Sequence, residues 1–134
     1  MRYLLDSDWC IDALAGKPHA LTLVNRLMGD GTAVSIITYL EVYQTVLRSP
    51  EPEEAAKRFD AFVATVPVLP LSEAVARRCA RLRETLRHAG KRVRPRALDL
   101  IIAATALEHS LTIVSRNVAD YADIPDLQVD TGVY

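Results

Sequence analysis

The stretch from Pro95 to Tyr121, PRALDLIIAATALEHSLTIVSRNVADY, constrains the fold more than any other. Asp99 opens an almost wholly apolar helix. A short apolar strand follows at Thr112 to Ser115, and polar Ser115, Asn117 and Asp120 come directly after it. In a parallel sheet the loops after the strands lie along one edge, and a helix that precedes a strand begins near that same edge. Asp99 and Asp120, at opposite ends of one helix and strand unit, can therefore meet in space.

The rest of the chain repeats the alternation. Arg2 to Leu5 reads as a buried strand ending at Asp6-Ser7-Asp8, and Trp9 to Ala15 as a short helix closed by Gly16. Pro18 starts a second helix with Leu21, Val24, Leu27 and Met28 on one face. Thr32 to Ile37 is a β-branched strand, and Thr38 to Arg48 is helical. After the break at Ser49 to Pro52 comes a helix with the stripe Ala55, Phe59, Phe62, Val63 and Val66. Pro67 to Leu71 is an edge strand, because its prolines cannot donate to a ladder. Ser72 caps a long helix with Val75, Cys79, Leu82, Leu86 and Ala89 on one face and Gly90 as its stop. Leu127 to Val129 is a last strand. The expected class is a three-layer α/β/α fold around a mainly parallel sheet of four to five strands, one domain over residues 1–134.

Length and composition fit that class. A chain of 134 residues can bury a core without metal or disulfide support. No apolar run reaches the roughly 18 residues of a membrane span and no signal peptide precedes Asp6, so a cytoplasmic protein with no membrane partner is expected. Cys10 and Cys79 lack the spacing of a zinc or redox motif and read as reduced core thiols. The net charge of -1 conceals a polarised distribution. Nine of the sixteen Lys and Arg fall between Arg77 and Arg96, where only Glu84 opposes them. A polyanionic partner and a merely solvated helix face both account for that run.

Four acids fall where strands end or where helices begin beside strand ends: Asp6, Glu41, Asp99 and Asp120. Singly, each has a structural explanation. Asp6 or Asp8 can cap the Trp9 helix, Thr38 with Glu41 fits a capping box, Asp99 suits a helix first turn, and Asn117 can cap a turn that includes Asp120. Together they fall on the sheet edge where open α/β sheets bind ligands. Two carboxylates about 4 Å apart repel by roughly 4 kcal/mol at an effective dielectric near 20, so an empty cluster takes up protons. A divalent cation removes the repulsion. The donors are oxygens, which suits Mg²⁺ or Mn²⁺ rather than Zn²⁺, and the chemistry implied is metal-dependent phosphodiester hydrolysis.

The strand ending in Asp6-Ser7, the segments Ser35 to Glu41 and Asp99 to Ala104, and the run Ser115 to Tyr121 resemble, in order, the successive signatures of PIN-domain ribonucleases. More narrowly, the chain resembles the VapC-type toxins of bacterial and archaeal toxin-antitoxin systems. The resemblance covers nearly the whole chain. It implies an RNA-cleaving toxin whose acidic pocket, Asp6, Glu41, Asp99 and Asp120, holds Mg²⁺ or Mn²⁺. Asp6 and Asp99 would be the direct metal ligands, and Glu41 and Asp120 would act through waters or help activate the nucleophile. Ser115 and Asn117 would take supporting roles. A homodimer and a cognate antitoxin that blocks the pocket are also implied. Asp8 stands where the family often has Asn, Ser115 replaces a common Thr, Ser110 a common Gly and Tyr121 a common Phe, while some members carry Asp at the position of Arg116.

Other residues bear on the same reading. Lys91, Arg92, Arg94 and Arg96 lead into Asp99 and are candidates for RNA phosphate contacts. Trp9, Tyr39 and Tyr43 are candidates for base stacking or for receiving an antitoxin helix, against plain core packing. His19, His88 and His109 lie outside the acidic motifs. Two rivals stand beside the nuclease: a haloacid-dehalogenase-like phosphatase using Asp6 and Asp8, and a non-enzymatic α/β interaction module in which all four acids are caps.

Overall fold

The computed structural model describes residues 1–132. Five parallel strands form the central sheet: β1 (Tyr3–Leu5), β2 (Thr32–Ser35), β3 (Val68–Leu69), β4 (Thr112–Val114) and β5 (Val129–Asp130), in the spatial order β3-β2-β1-β4-β5. Tyr3 pairs with both Thr32 and Thr112, so β1 is the central strand. Successive strands run outward from β1 to one side and then to the other. The strand order therefore reverses between β1 and β4, and the crevice beyond their carboxyl ends is the switch point at which such sheets bind ligands. The edge position read for β3 from its prolines is the observed one, and the last strand begins two residues later and ends one residue later than the sequence predicts.

Helices cover both faces. They are α1 (Ser7–Leu14), α2 (Pro18–Gly29), α3 (Ile36–Leu47), α4 (Pro52–Val63), α5 (Glu73–His88) and α6 (Ala97–Glu108). Alternation along β1 divides the core in two, as a strand with period two requires. Tyr3 and Leu5 pack with Trp9, Leu23, Val42 and Phe59 on one face, and Leu4 packs with Val75, Leu86, Leu100 and Ile102 on the other. Helix α6 is apolar nearly all round because it lies deep in the second layer, with Leu100, Ile102, Ala103, Ala104 and Ala106 fully buried.

Local signals explain the ends that position the site. Ser72 Oγ accepts from the Val75 N–H, and α5 stops at Gly90, whose φ of +78° is the left-handed conformation of a helix terminus. The basic segment after it is not a plain loop, since Arg94–Arg96 form a single 3-10 turn that feeds α6. Helix α3 begins two residues earlier than the sequence predicts. Ser35 is its cap, with Oγ accepting from the Thr38 N–H at 3.0 Å. Both cysteines are free and buried.

Candidate active site

The acids come from three separate chain segments. Asp6 ends β1, where its N–H donates to the Val114 carbonyl of β4 at 2.9 Å. It also occupies the N-cap of α1, with Oδ1 accepting from the Ser7 N–H at 2.8 Å. Its other oxygen, Oδ2, accepts from the Tyr121 hydroxyl at 3.0 Å, and the residue is buried. Asp6 is thus a cap and something more.

Glu41 is not in a capping box. Because α3 starts at Ile36, Glu41 lies in its second turn, and its Oε1 accepts from the Ser7 hydroxyl at 3.2 Å. Asp99 is the third residue of α6, where the helix dipole favours an anion. The ionisation of both nevertheless shifts upward. For Glu41 the causes are burial and then the charges of Asp6 and Asp99, against the Ser7 hydrogen bond. For Asp99 they are burial and then the charges of Asp6 and Asp120, with Arg96 opposing. Glu41 and Asp99 both feel the charge of Asp6, and Glu41 that of Asp99, which places the three carboxylates near one another beyond the carboxyl ends of β1 and β4.

Asp120 stands at the rim. It is exposed, at the end of a 3-10 turn (Val118–Asp120), and joins the group through Asp99 and Arg96. Ser115 is buried, and its Oγ accepts from the Asn117 N–H at 3.0 Å, which shapes the turn after β4. Asn117 is exposed at the start of the same turn. Asp8 does not cap α1. Its two oxygens accept from the Trp9 and Arg116 N–H groups at 2.7 and 2.9 Å, which ties α1 to the loop after β4. A phosphatase of the kind considered above needs that second acid free, and here it is engaged. The reading of all four acids as caps fails at Glu41.

Sequence reasoning missed three groups. Ser7 donates to Glu41, Tyr121 donates to Asp6, and Asp123 binds Arg96. The Arg96 guanidinium donates to both oxygens of Asp123 at 2.8 and 2.7 Å and to the Asp120 carbonyl at 2.8 Å, so it clamps the segment that carries Asp120 and Tyr121. Arg96 differs in this from the other cations of its run. Arg83, Arg87, Lys91, Arg92 and Arg94, with Val93 and Pro95, line an open groove of about 660 Å³. Arg87 pairs with Glu84 of its own helix. Among the described residues the other four form no ion pair.

The aromatic candidates separate similarly. Trp9 is buried, with its indole N–H donating to the Thr131 carbonyl and the Arg116 guanidinium over its ring at 3.9 Å. Tyr39 and Tyr43 stack on each other and meet Phe59 edge-on.

The donor set suits a hard divalent cation. It consists of carboxylates, and the neighbouring Cys10 thiol is held protonated by burial and by the charges of Asp6 and Asp8, so it offers no thiolate. Among the described residues no three His, Cys, Asp or Glu side chains form a ready-made cage for a metal. Mg²⁺ is commonly bound by one or two carboxylates and keeps several of its waters.

A family model described as the PIN domain matches residues 3–126. The "tRNA(fMet)-specific endonuclease VapC" of Salmonella typhimurium is 25% identical over 130 residues, which cover 97% of each chain. Among solved structures, a chain of the DNA-bound VapBC from Salmonella typhimurium superposes with a TM-score of 0.87 at 24% identity over 99% of both chains. A chain of the toxin-antitoxin complex from Klebsiella pneumoniae superposes with a TM-score of 0.72 at 27% identity over 98% of both. No helix among the described residues is long and apolar enough to cross a membrane.

Proposed function

The chain belongs to the PIN-domain family, and from that premise we propose that it is a metal-dependent endoribonuclease toxin held inactive by a cognate antitoxin. The observation that carries this is the convergence of Asp6, Glu41 and Asp99 from three distant segments, with Glu41 bonded to Ser7 beside Asp6 and both Glu41 and Asp99 pushed up by burial and by the Asp6 charge. The names of its relatives, an endonuclease and a toxin-antitoxin complex among them, support the same activity and the same partner.

Asp6 and Asp99 would hold Mg²⁺ or Mn²⁺ directly. Such an ion, when bound, would orient a water, make it more acidic and stabilise charge on a phosphodiester. The chain's own groups do the rest. Ser7 keeps the Glu41 carboxylate turned toward the pocket, and Glu41, with its raised affinity for protons, is suited to take one from the attacking water. Asp120 acts from the rim, through water. Ser115 and Asn117 shape the turn on which Asp120 is carried.

RNA would approach along the basic groove. Its lining of cations, a valine and a proline contacts phosphates and offers no aromatic surface for bases, so it positions the strand without reading sequence. Lys91, Arg92 and Arg94 remain in this role and Arg83 and Arg87 join them, while Arg96 serves the clamp. A partner chain has an apolar stripe to cover on α3: Ile36, Leu40, Tyr43 and Leu47 are all exposed on one side. A homodimer is the pairing we assign to it.

The test is expression without the antitoxin. Growth should arrest, and Asp99→Asn should abolish the arrest while the protein stays folded. Equal toxicity of that variant would remove the catalytic assignment.

A further inference from the structure

Packing does not require the Tyr121 hydroxyl. The ring is 2% exposed and belongs to the core that holds Leu100, Ile102, Ile113 and Ile124, a space that a phenylalanine ring would fill equally well. The hydroxyl nevertheless has a defined partner 115 positions away in sequence, Asp6 Oδ2, at 3.0 Å. Asp6 Oδ1 takes the Ser7 N–H at 2.8 Å. Each oxygen of the carboxylate therefore carries one hydrogen bond from the protein and keeps lone-pair capacity for another partner. Turning the carboxylate would break both bonds.

We propose that Tyr121 is a positioning residue: its hydroxyl fixes the Asp6 carboxylate in the orientation in which it binds the divalent ion, and so sets the affinity of the pocket for that ion. The inference rests on the reading of Asp6 as a metal ligand. In the contact with Asp6 the carboxylate oxygen only accepts, and the Tyr121 O–H is the donor. Its backbone is held as well. Tyr121 lies between Asp120 and Asp123, the two residues that Arg96 clamps. Outer partners of this kind govern ligand orientation, and losing one typically weakens metal binding about 10–100-fold.

Calorimetric titration of Mn²⁺ into the full chain without RNA tests this directly, comparing wild type, Tyr121→Phe and Ile124→Val, with circular dichroism to check folding. Ile124→Val loosens the same core without touching Asp6. The expected result is an Mn²⁺ Kd about 10–100-fold weaker in Tyr121→Phe and within about twofold of wild type in Ile124→Val. In cleavage assays Tyr121→Phe should need correspondingly more Mn²⁺ for half-maximal rate, with kcat at saturating Mn²⁺ within about threefold of wild type. An unchanged Kd in folded Tyr121→Phe would overturn the positioning role and leave the nuclease reading standing. Equal weakening in Ile124→Val would overturn it too, by showing that any loosening of the core suffices. Failure of the wild-type protein to bind Mn²⁺ would remove the metal-ligand reading of Asp6 and this inference with it.

Discussion

The acidic pocket and the basic groove are neighbours on the chain, five residues apart from Arg94 to Asp99, and they are built in opposite ways. The pocket gathers charges from three distant segments at the end of a parallel sheet, partly buries them and sets them against one another. The groove takes its charges from one continuous run, Arg83 to Arg94, and leaves them on an open surface. A half-buried carboxylate with fixed neighbours acts as one member of a unit. An exposed cation in a row of five acts as one increment of a sum. Loss of a pocket residue should therefore be felt as a loss of chemistry, and loss of a groove residue as a graded loss of binding.

Substitution in the pocket is the strongest way to break that contrast. Asp99→Asn should lower kcat on a pool of structured RNA by roughly 10²–10³-fold, the scale of removing one preorganised electrostatic group, with an unchanged circular dichroism spectrum. The same change removes a source of repulsion, so the metal-free variant should melt slightly above wild type. A comparable loss of kcat from a groove substitution would erase the distinction.

In the groove, the double change Arg83→Glu and Arg92→Glu should raise KM about tenfold at physiological salt and leave kcat nearly unchanged. The dependence of log KM on log salt should become shallower by roughly 0.7 for each phosphate contact to single-stranded RNA that is lost. Steady-state kinetics over a salt series separates the two parameters.

Arg96 sharpens the boundary between the regions, because it belongs to the basic run by sequence and to the pocket by contact. Arg96→Met removes charge-assisted bonds to Asp123 and should cost about 1–2 kcal/mol in urea unfolding. Its KM for RNA should change less than that of the groove variant.

The smallest expected effect is on pH. Asp99 and Glu41 titrate in the folded protein above their ordinary values of 3.8 and 4.5. Between those values and the raised ones the folded state holds more protons than the unfolded state. The contribution of these two groups to metal-free stability therefore falls as pH rises through that window. A divalent ion relieves the repulsion most where both groups are charged. The rise in Tm on adding Mg²⁺ should be larger at about pH 8 than at about pH 5, as differential scanning fluorimetry would show.

The same contrast explains what the sequence disclosed. The groove is a continuous run of cations and is legible as one, although the role of Arg96 is not, because its partner Asp123 is an unremarkable loop acid in the linear chain. The alternation of strands and helices, the edge position of β3 and the ends of α5 follow from prolines, caps and apolar spacing. The three pocket acids and Asp120 at the rim are legible as acids at or near strand and helix ends. Their contacts are not, since Ser7 with Glu41 and Tyr121 with Asp6 join residues 34 and 115 positions apart, and no local propensity encodes such pairs. The start of α3 differs from the sequence expectation for a local reason: Ile36 and Ile37 are β-branched and extend the apparent strand, whereas the Ser35 cap starts the helix there.

The central claim is that the carboxylates at the end of β1 and the start of α6 form a metal-dependent hydrolytic centre. The most direct test measures RNA cleavage by purified chain stripped of metal and then titrated with Mg²⁺, for wild type and Asp99→Asn side by side. Cleavage that is absent without metal, appears with Mg²⁺ in wild type and stays at least about a hundredfold lower in folded Asp99→Asn is the expected result. Cleavage that persists in chelator, or that Asp99→Asn retains in full, would contradict it.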